Sequence, residues 1–433
     1  MKFTIHNNTF ESIYVWPEGA SGKTIILDAS SSSTIPLKSR SFFGRSLTLS
    51  RNLDPLSGSK IIRLSTTRLW KSPAKSWRFV AKTDGLTVYS FHGTSHSSGT
   101  GKHVLIIPTR DLSTFLGDVE DERSLASLCL PGTHDTLAFY GWPISQCQFR
   151  EDSLIMQLNL GVRVLDIRMA VVDGRLIAYH GITPQRTPFS QVLAVIYTFL
   201  ISHPTETLVM SMKQEDFAKT PPATFSSLVR TEIYAGPGGM EMWFLQNRIP
   251  KLGEVRGKVI MLSRFGGDGS GWHGGLEGLG IHPSTWPDSS KEGFSWHCKE
   301  TLVRTHDWYN IPSFLSIPEK VELSTKILLD KDELNSNPLN ITYLSAASIP
   351  LALPQTVARG FGWPNWGMGV EGVNSRVGRM FLERLAHCPS KKFSEKGSKG
   401  PTTQQVTGWV FMDFFTDPEC LAPLLVEFNF TPY

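Results

Sequence analysis

Hydrophobic and polar positions follow two different patterns along the chain, and the change between them lies near residue 115. Before it, short alternating apolar runs are separated by clusters of Gly, Ser, Pro and Asn, which is typical of β-strands joined by turns. The predicted strands are Ser12–Trp16, Lys23–Leu27, Ile61–Ser65, Trp77–Val80, Leu86–Phe91 and Val104–Ile107. Ala29–Thr34 and His92–Lys102 are predicted as loops. We therefore predict that residues 1–115 form a smaller all-β, sandwich-like domain, whose role the pattern does not indicate.

After a charged segment at residues 118–123, strand-like runs alternate with helical ones, as a parallel α/β domain requires. The predicted helices are Phe189–Ser202 and Ser375–Leu385. The predicted strands are Ser127–Leu130, Val162–Ile167, Leu176–Tyr179, Leu208–Met212, Val259–Ser263, Ile341–Ser345 and Trp409–Phe414. We predict that residues 118–433 form a TIM-type (β/α) barrel of irregular or distorted shape.

Composition and charge argue against several classes of protein and of site. The 43 basic and 39 acidic residues give a net charge of +4, too even a balance to indicate nucleic acid binding. The five cysteines are widely spaced, without a CxxC pair, and favour neither a disulfide framework nor a zinc site. The start of the chain lacks the apolar segment of a secretory signal, and no window resembles a membrane span. We expect a soluble protein, cytoplasmic or exported by a non-classical route, that contacts membranes peripherally.

Ionisable residues stand at the downstream ends of three predicted strands: His134 and Asp135 after the first, Arg168 after the second and His180 after the third. In a (β/α) barrel, these ends converge on the face that carries active sites. The sequence therefore predicts one site that contains all four side chains.

The residues around these positions resemble a known family. Leu130–Thr136, which reads LPGTHDT, resembles the opening motif of the bacterial-type phosphatidylinositol-specific phospholipases C, the phospholipase C X-domain family. Further similar segments follow in the family's order: Gly161–Arg168, Tyr179–Gly181, His203–Glu215, Arg256–Arg264, Thr305–Tyr309 and Gly408–Asp413. The resemblance extends over roughly residues 118–433 and implies a barrel enzyme that cleaves phosphatidylinositol or glycosylated inositol-lipid anchors.

A histidine pair suits this chemistry, because attack of an inositol 2-hydroxyl on the adjacent phosphate needs a base and the departing diacylglycerol oxygen needs an acid. By resemblance, His134 is the base and His180 is the acid, and the first product is inositol 1,2-cyclic phosphate. Each histidine also has a plainer interpretation as an ordinary buried strand-end residue.

The resemblance assigns roles to three further residues. Asp413 matches the carboxylate that holds the base histidine and favours its charged form, and Asp135 matches one that orients the acid histidine or shares its proton. Arg168 occupies the position of a carboxylate metal ligand in calcium-dependent relatives, and a guanidinium neutralises phosphate oxygens without a metal. We therefore predict metal-independent catalysis with no cofactor. The alternative for Arg168 is a structural ion pair with Asp166, and for the carboxylates it is helix capping.

By the same resemblance, four residues match positions that hydrogen-bond the inositol hydroxyls or stack on the ring: Lys213, Arg264, Asp307 and Tyr309. Each of them also suits ordinary surface or core polarity. His306 departs from the glutamine usual before that aspartate, and Ala346–Gly372 departs from the family in length and content.

Aromatic residues cluster in predicted rim loops, with Trp142 in one loop and Trp363 and Trp366 in another. Tryptophan favours the membrane interface, so we expect transient contact with a membrane that contains inositol phospholipid. The alternative is that these tryptophans pack between helices.

Two other functions are compatible with the sequence. A glycerophosphodiester phosphodiesterase, or a related phospholipase D, has a similar barrel and histidine chemistry, but it relies on metal-binding carboxylates. A catalytically idle module that binds inositol lipids is the second alternative.

Overall fold

The computed structural model describes residues 2–17, 24–36, 46–53, 62–65, 75–83, 85–93, 101–216, 218–329, 337–364, 367–387 and 406–431. All structural statements below refer to these residues.

Two separate sheets are formed by the first part of the chain. Strands β4-β1-β9-β8-β7 form a five-stranded sheet, and β3-β2-β5-β6 form a four-stranded one. Their bounds are β1 Lys2–Asn7, β2 Ile13–Pro17, β3 Ile25–Leu27, β4 Ser31–Pro36, β5 Ser46–Ser50, β6 Ile62–Ser65, β7 Trp77–Lys82, β8 Leu86–Gly93 and β9 Gly101–Pro108. Buried side chains of both sheets, such as Ile5 and Val15, share one apolar cluster.

One loop prediction here is wrong. Ser31–Pro36 is strand β4 and pairs antiparallel with β1, because the small hydroxyl side chains of Ser31–Thr34 tolerate an edge strand as readily as a loop. The other predicted loop, His92–Lys102, contains the ends of β8 and β9, and its residues 94–100 lie outside the described part of the chain.

An eleven-stranded sheet dominates the rest of the molecule, in the order β15-β16-β14-β11-β10-β22-β19-β18-β17, with the pair β12-β13 attached to β11. The strands from β15 to β18 in this order are all parallel to their neighbours. Their bounds are β10 Cys129–Thr133, β11 Val164–Val172, β12 Arg175–His180, β13 Thr183–Pro188, β14 Leu208–Gln214, β15 Trp243–Phe244, β16 Val259–Arg264, β17 Phe294–Cys298, β18 Thr301–His306, β19 Leu339–Tyr343 and β22 Gly408–Met412.

A short hairpin of β20 (Gly360–Trp363) and β21 (Met368–Glu371) stands apart from this sheet. The helices are α1 Leu154–Asn159, α2 Phe189–Ser202, α3 Pro222–Ala235, α4 Leu252–Val255, α5 Ile317–Lys326, α6 Pro354–Arg359, α7 Val373–His387 and α8 Leu421–Glu427. Among the described residues, no helix combines the length and apolar character that crossing a bilayer requires.

The α/β character follows from the sequence pattern. In α2, buried residues recur every three or four positions from Phe189 to Leu200, so one face of the helix packs on the sheet. Strand β14 is buried on both faces, as expected where helices cover one side of a parallel sheet and side chains fill the other. The predicted helix Phe189–Ser202 has these bounds, and Ser375–Leu385 lies within α7.

Leu176–Tyr179 is a strand, as predicted, but it is not one of the parallel strands of the sheet. Strand β12 is antiparallel to β11, with Met169 opposite Ala178, and is not a parallel barrel strand. The parallel strand β18 was not predicted, because its sequence TLVRTH is short and only its buried positions Val303, Thr305 and His306 mark it.

The first two sheets are not isolated from the rest of the molecule. Trp77 of β7 and Tyr89 of β8 join the large apolar cluster that includes Val377 and Phe381 of α7. The indole Nε1 of Trp77 donates to the carbonyl oxygen of Ser375 at 2.7 Å. Helix α7 therefore packs against the five-stranded sheet and shares an apolar cluster with buried side chains of the larger sheet, such as Val410.

Candidate active site

A cavity of about 1110 Å³ opens at the carboxyl ends of the parallel strands. Eight of the nine site residues predicted from the sequence line it: His134, Arg168, His180, Lys213, Arg264, Asp307, Tyr309 and Asp413. The ninth, Asp135, lies buried beneath them and contacts both histidines. The fold thus brings the whole predicted set together.

Strand register places His134 beside Asp413. Strands β10 and β22 are adjacent and parallel, with Thr133 opposite Met412, so the residues that follow them also lie side by side. The distance from Nδ1 of His134 to Oδ1 of Asp413 is 2.7 Å, and the backbone N–H of His134 donates to the carbonyl of Met412 at 3.0 Å. With Nδ1 donating to the carboxylate, Nε2 of His134 faces the cavity as an acceptor.

His180 reaches the site by a route that the sequence prediction missed. Because β12 runs antiparallel to β11, the hairpin brings His180 back to the level of Arg168 instead of placing it at the end of a separate parallel strand. Its Nδ1 donates to the carbonyl oxygen of Ser145 at 2.8 Å. Its Nε2 is thereby directed at Oδ2 of Asp135, 3.3 Å away.

Asp135 connects the two histidines. Its Oδ2 lies 3.0 Å from Nε2 of His134 and 3.3 Å from Nε2 of His180, and its Oδ1 lies 3.1 Å from Nε of Arg168. The imidazole rings are nearly perpendicular, with centroids 6.2 Å apart. This arrangement allows a proton to be shared between one carboxylate and either ring.

Arg168 is held by a ring of acceptors. Its Nη2 lies 3.0 Å from Oδ2 of Asp166 and 2.9 Å from Nε2 of His134, and its Nη1 lies 3.4 Å from Oε1 of Glu215. Burial disfavours its charge, but Asp135, Asp166 and Glu215 together outweigh burial and raise the pKa of Arg168. The ion pair with Asp166 is therefore present, and the same guanidinium also reaches the base candidate.

Burial dominates the protonation of the site. It lowers the pKa of His134 well below the usual value, with a further contribution from Arg168, and it raises the pKa of Asp413. Burial also raises the pKa of Asp135 to about 6. The expected effect of Asp413, to favour the charged form of His134, is thus opposed by burial and Arg168, which favour the neutral imidazole.

The predicted headgroup residues form the opposite wall. The guanidinium of Arg264 lies 4.0 Å above the ring of Trp286 and 3.8 Å from Oδ2 of Asp307. Nε1 of Trp286 donates to the same Asp307 oxygen at 2.9 Å. Lys213 lies 3.4 Å from Glu215, and burial, aided by Arg168, lowers its pKa. Cations and an aromatic face beside a carboxylate suit a polyol that carries a phosphate.

Tyr309 is the more exposed member of this wall. Its hydroxyl donates to Asp288, and burial together with that hydrogen bond raises its pKa to about 12. His306, which departs from the family pattern, is buried away from the cavity. Its Nε2 donates to the carbonyl of Lys291 at 3.1 Å, and burial lowers its pKa to about 3.

Several cavity residues were missed at the sequence level. Glu215 had a readable signal, since it stands two positions after Lys213 at a strand end and so faces the same side. Trp286 and Asp288 come from the long loop between β16 and β17, which has no periodic pattern. Tyr343 does not line the cavity but contacts Arg264 in its wall, and its stacking on Phe411 makes it look like a core residue.

Some of these side chains lie close enough together to be considered as metal ligands. Such groups are His134 with Cys147 and Asp413, Asp135 with Cys147 and His180, and His134 with Asp135 and Asp166. Calcium takes six to eight oxygen ligands, and each of these groups offers at most two carboxylates. The guanidinium of Arg168 also lies among them. The donor set does not fit calcium.

Exposed apolar side chains such as Ile144, Ile182 and Ile349 line the cavity, and two exposed tryptophans lie elsewhere on the surface. Trp142 is 68% exposed, and its Nε1 donates to Gln355 at 2.9 Å. Ile182 is 97% exposed and lines the cavity, and Trp363 in β20 is 51% exposed. Trp142 and Trp363 are thus each more than half exposed. Trp366 lies outside the described residues.

Comparison with known proteins indicates the same family as the sequence motifs do. Residues 142–265 match the family model of the phosphatidylinositol-specific phospholipase C, X domain. The 1-phosphatidylinositol phosphodiesterase of Listeria monocytogenes is 32% identical over 161 residues, which cover 34% of this chain and 48% of that protein. That of Staphylococcus aureus strain Newman is 28% identical over 244 residues, covering 54% and 75%. Over these residues the chain is similar to the bacterial phosphatidylinositol-specific phospholipases C. The resemblance read from the sequence motifs is confirmed.

Solved structures show how far the shared fold extends. A mutant phosphatidylinositol-specific phospholipase C from Staphylococcus aureus matches 74% of this chain and 98% of its own, with 20% identity and a TM-score of 0.55. The enzyme from Listeria monocytogenes matches 74% and 99%, with 23% identity and a TM-score of 0.51. The chain therefore shares their fold, although its matched sequence spans only about half of the curated Listeria protein.

Proposed function

We propose that the protein cleaves the phosphodiester of phosphatidylinositol, or of glycosylated inositol-lipid anchors, by general acid–base catalysis without a metal ion. The observation that carries the proposal is the shared carboxylate of Asp135, within 3.3 Å of Nε2 of both histidines, with Arg168 beside it. A base, an acid and a fixed cation thus meet in one cavity. This combination is sufficient for transfer of a phosphoryl group to a neighbouring hydroxyl.

In the proposed reaction, Nε2 of His134 takes the proton of the inositol 2-hydroxyl, and the resulting oxygen attacks the phosphorus. The bond from phosphorus to the glycerol oxygen breaks. His180, which shares a proton with Asp135, protonates that oxygen. Diacylglycerol leaves and inositol 1,2-cyclic phosphate remains, and water opens the ring with the roles of the histidines reversed.

Asp413 and Arg168 serve these steps in different ways. Asp413 keeps Nδ1 of His134 protonated, so that Nε2 carries the lone pair, and it stabilises the imidazolium once the proton has moved. Arg168 faces the developing negative charge on the phosphate oxygens from a dry site, where a fixed cation acts strongly. Its own carboxylate partners hold it in place before the substrate arrives.

Lys213, Arg264, Asp307 and Tyr309 bind the inositol ring in this proposal. The flat face of Tyr309 and the hydrogen-bonding groups of the other three suit a ring that bears hydroxyls on its rim. The exposed apolar mouth near Trp142 and Trp363 contacts the lipid surface, so the enzyme acts as a peripheral membrane protein. Modulation of membrane binding is described for a solved phosphatidylinositol-specific phospholipase C of Staphylococcus aureus, which matches 74% of this chain.

Similarity to the solved structures shows a shared fold, and the shape of the large sheet is proposed here in more detail. We infer that the parallel strands form a distorted (β/α) barrel, since Arg264 of β16 reaches the hydroxyl of Tyr343 of β19 at 3.3 Å across the interior. In the described residues the strand order is open between its two ends, β15 and β17. We also infer two domains, residues 1–115 and 118–433, because the first pair of sheets has an apolar cluster of its own.

Phosphorus NMR of phosphatidylinositol vesicles tests the reaction. We expect the wild type to produce a cyclic inositol phosphate resonance first, His134→Ala to produce none at the same concentration, and the exposed control His297→Ala to match the wild type. An acyclic inositol phosphate as the first product would overturn the mechanism. Hydrolysis of a soluble glycerophosphodiester with no action on the vesicles would favour the glycerophosphodiesterase alternative.

A further inference from the structure

We propose that the five-stranded sheet positions Asp413 through helix α7, so that Ser76, Trp77 and Asn374 act as positioning residues for the reaction. The inference rests on the proposed function, because it assigns a purpose to contacts that lead to the carboxylate behind His134. It also gives the first pair of sheets a role in catalysis.

The first step is the contact between the sheet and α7. Ser76 donates from both its backbone N–H, at 3.1 Å, and its hydroxyl, at 2.5 Å, to Oε1 of Glu371. The same carboxylate oxygen accepts from the hydroxyl of Ser375 at 2.6 Å. Glu371 is 8% exposed, and hydrogen bonds to a buried carboxylate are strong. The start of α7 is thus held by the sheet.

Trp77 adds a second point of attachment one residue later. Its indole N–H donates to the carbonyl of Ser375 at 2.7 Å, and its ring lies against Gly378. A Cβ at Gly378 would come within 2.4 Å of the indole ring. The absence of a side chain at this position therefore permits the close approach of α7 to β7.

The second step leads from α7 to the loop that carries Asp413. The amide nitrogen of Asn374, a buried residue, donates to the carbonyl oxygens of Asp413 at 2.8 Å, Phe414 at 3.2 Å and Asp417 at 2.9 Å. Asn374 is flanked by Ser375, the residue that both Trp77 and Glu371 contact. The Asn374 side chain thus holds the turn that follows β22 through three hydrogen bonds.

This turn requires such support. Phe414 has a φ of 45°, a left-handed conformation that is strained for a bulky residue and persists only where the surroundings hold it. Lys75, adjacent to Ser76, forms an ion pair with Asp417 at the far end of the same turn. The start of β7 and the two residues before it therefore hold the Asp413 turn in two ways. Lys75 contacts the turn directly, and Ser76 and Trp77 act through α7.

The orientation of the Asp413 carboxylate depends on this turn. A catalytic hydrogen bond loses efficiency when the group behind it shifts by a fraction of an ångström. Loosening the turn moves Asp413 relative to Nδ1 of His134, while the wall that binds the headgroup is carried by other strands. Turnover should therefore fall while substrate affinity is retained.

Two matched variants test the inference in the full-length protein. Trp77→Phe removes the hydrogen bond to Ser375 and keeps an aromatic ring. Tyr89→Phe removes another hydrogen bond of the same sheet, from the Tyr89 hydroxyl to the carbonyl of Cys420 at 3.0 Å, which does not lead to Asp413. On phosphatidylinositol vesicles we expect Trp77→Phe to lower kcat about 10-fold at unchanged KM, and Tyr89→Phe to stay within about 2-fold of the wild type. Ser76→Ala is the substitute if Trp77→Phe does not fold.

Proton NMR of the Nδ1–H of His134 supplies a readout that does not depend on turnover. We expect its resonance to shift or broaden in Trp77→Phe and in Asn374→Ala, and to be unchanged in Tyr89→Phe. An unchanged resonance and kcat in Trp77→Phe, or an equal loss in Tyr89→Phe, would overturn the positioning role. A wild type that changes no inositol lipid, with the resonance still responding to Trp77→Phe, would instead refute the proposed function alone.

Discussion

Nη2 of Arg168 lies 2.9 Å from Nε2 of His134, the atom that takes the proton in the proposed reaction. Asp166 and Glu215 hold the guanidinium there. A permanent cation thus occupies the place beside the base where, by the family resemblance, calcium-dependent relatives bring a metal.

The first prediction concerns metals and this cation. We expect cleavage of phosphatidylinositol to continue within about 2-fold of its rate in excess chelator, and Arg168→Lys to lower kcat by about 100-fold, since a point charge cannot match the planar guanidinium. Turnover in chelator and in added calcium, measured for both proteins, checks this. Loss of wild-type turnover in chelator that calcium restores would contradict the metal-free mechanism.

The second prediction is a pH profile. Burial and Arg168 lower the pKa of His134, so the base stays neutral as the pH falls through 6.5. We therefore expect kcat/KM to decline on the acid side with a midpoint below pH 6.5, the ordinary value for histidine. Arg168→Gln removes one cause of the depression, so its acid limb should move to higher pH. A wild-type midpoint at or above 6.5 would show that burial does not control this group.

The third prediction concerns the apolar mouth of the cavity. Replacing Trp142 and Trp363 with alanine should weaken binding to phosphatidylinositol vesicles roughly 10-fold, because each large side chain loses apolar area that the bilayer would cover. Tyr234→Ala is the control, since Tyr234 is 50% exposed on α3 and does not line the cavity. Vesicle sedimentation measures the binding. Equal binding by the double variant would exclude these two tryptophans as anchors.

The fourth prediction concerns stability at low pH. His6 of β1 is buried in a stack with His103 and near His387 of α7, and burial, then these neighbours, lower its pKa to about 3. The unfolded chain therefore binds one more proton than the folded chain between pH 6.5 and about 3. The contribution is complete above pH 6.5 and is lost as the pH falls, at about 1.4 kcal/mol of unfolding free energy per pH unit.

Urea unfolding at several pH values measures this slope. His6→Gln should reduce it by about one proton between pH 6 and 4, whereas the exposed control His297→Gln should leave it unchanged. Equal slopes for His6→Gln and the wild type would mean that the imidazole stack does not resist protonation.

The sequence identified which residues come together in the cavity better than it predicted the strands that bring them there. His134, Arg168 and Lys213 were readable because each stands at or beside the end of an apolar strand run, where a parallel sheet collects side chains. The return of His180 on an antiparallel hairpin was not readable, since a short apolar run has the same pattern in either direction.

Other features of the site and of the fold depend on contacts between residues that are far apart in the sequence. No local pattern encodes such contacts. Trp286 lies in a loop rich in glycine, and its place over Arg264 depends on tertiary packing. Asn374 looks like any polar helix residue, and its three carbonyl partners lie about 40 positions downstream. Likewise, the hydroxyl residues of β4 carry no signal that separates an edge strand from a loop.

The position of β22 has a consequence for how the molecule is made. This late strand lies between β10 and β19, which do not pair with each other in the described sheet. The two halves of the sheet thus join only when β22 inserts, and Asp413 follows directly behind it. During synthesis, when earlier parts of a chain fold first, the acid side of the site can assemble from the local β11–β12 hairpin, but the base gains its carboxylate last. In the proposed reaction, His134 therefore gains its orienting carboxylate only after β22 has been synthesised and has inserted between β10 and β19.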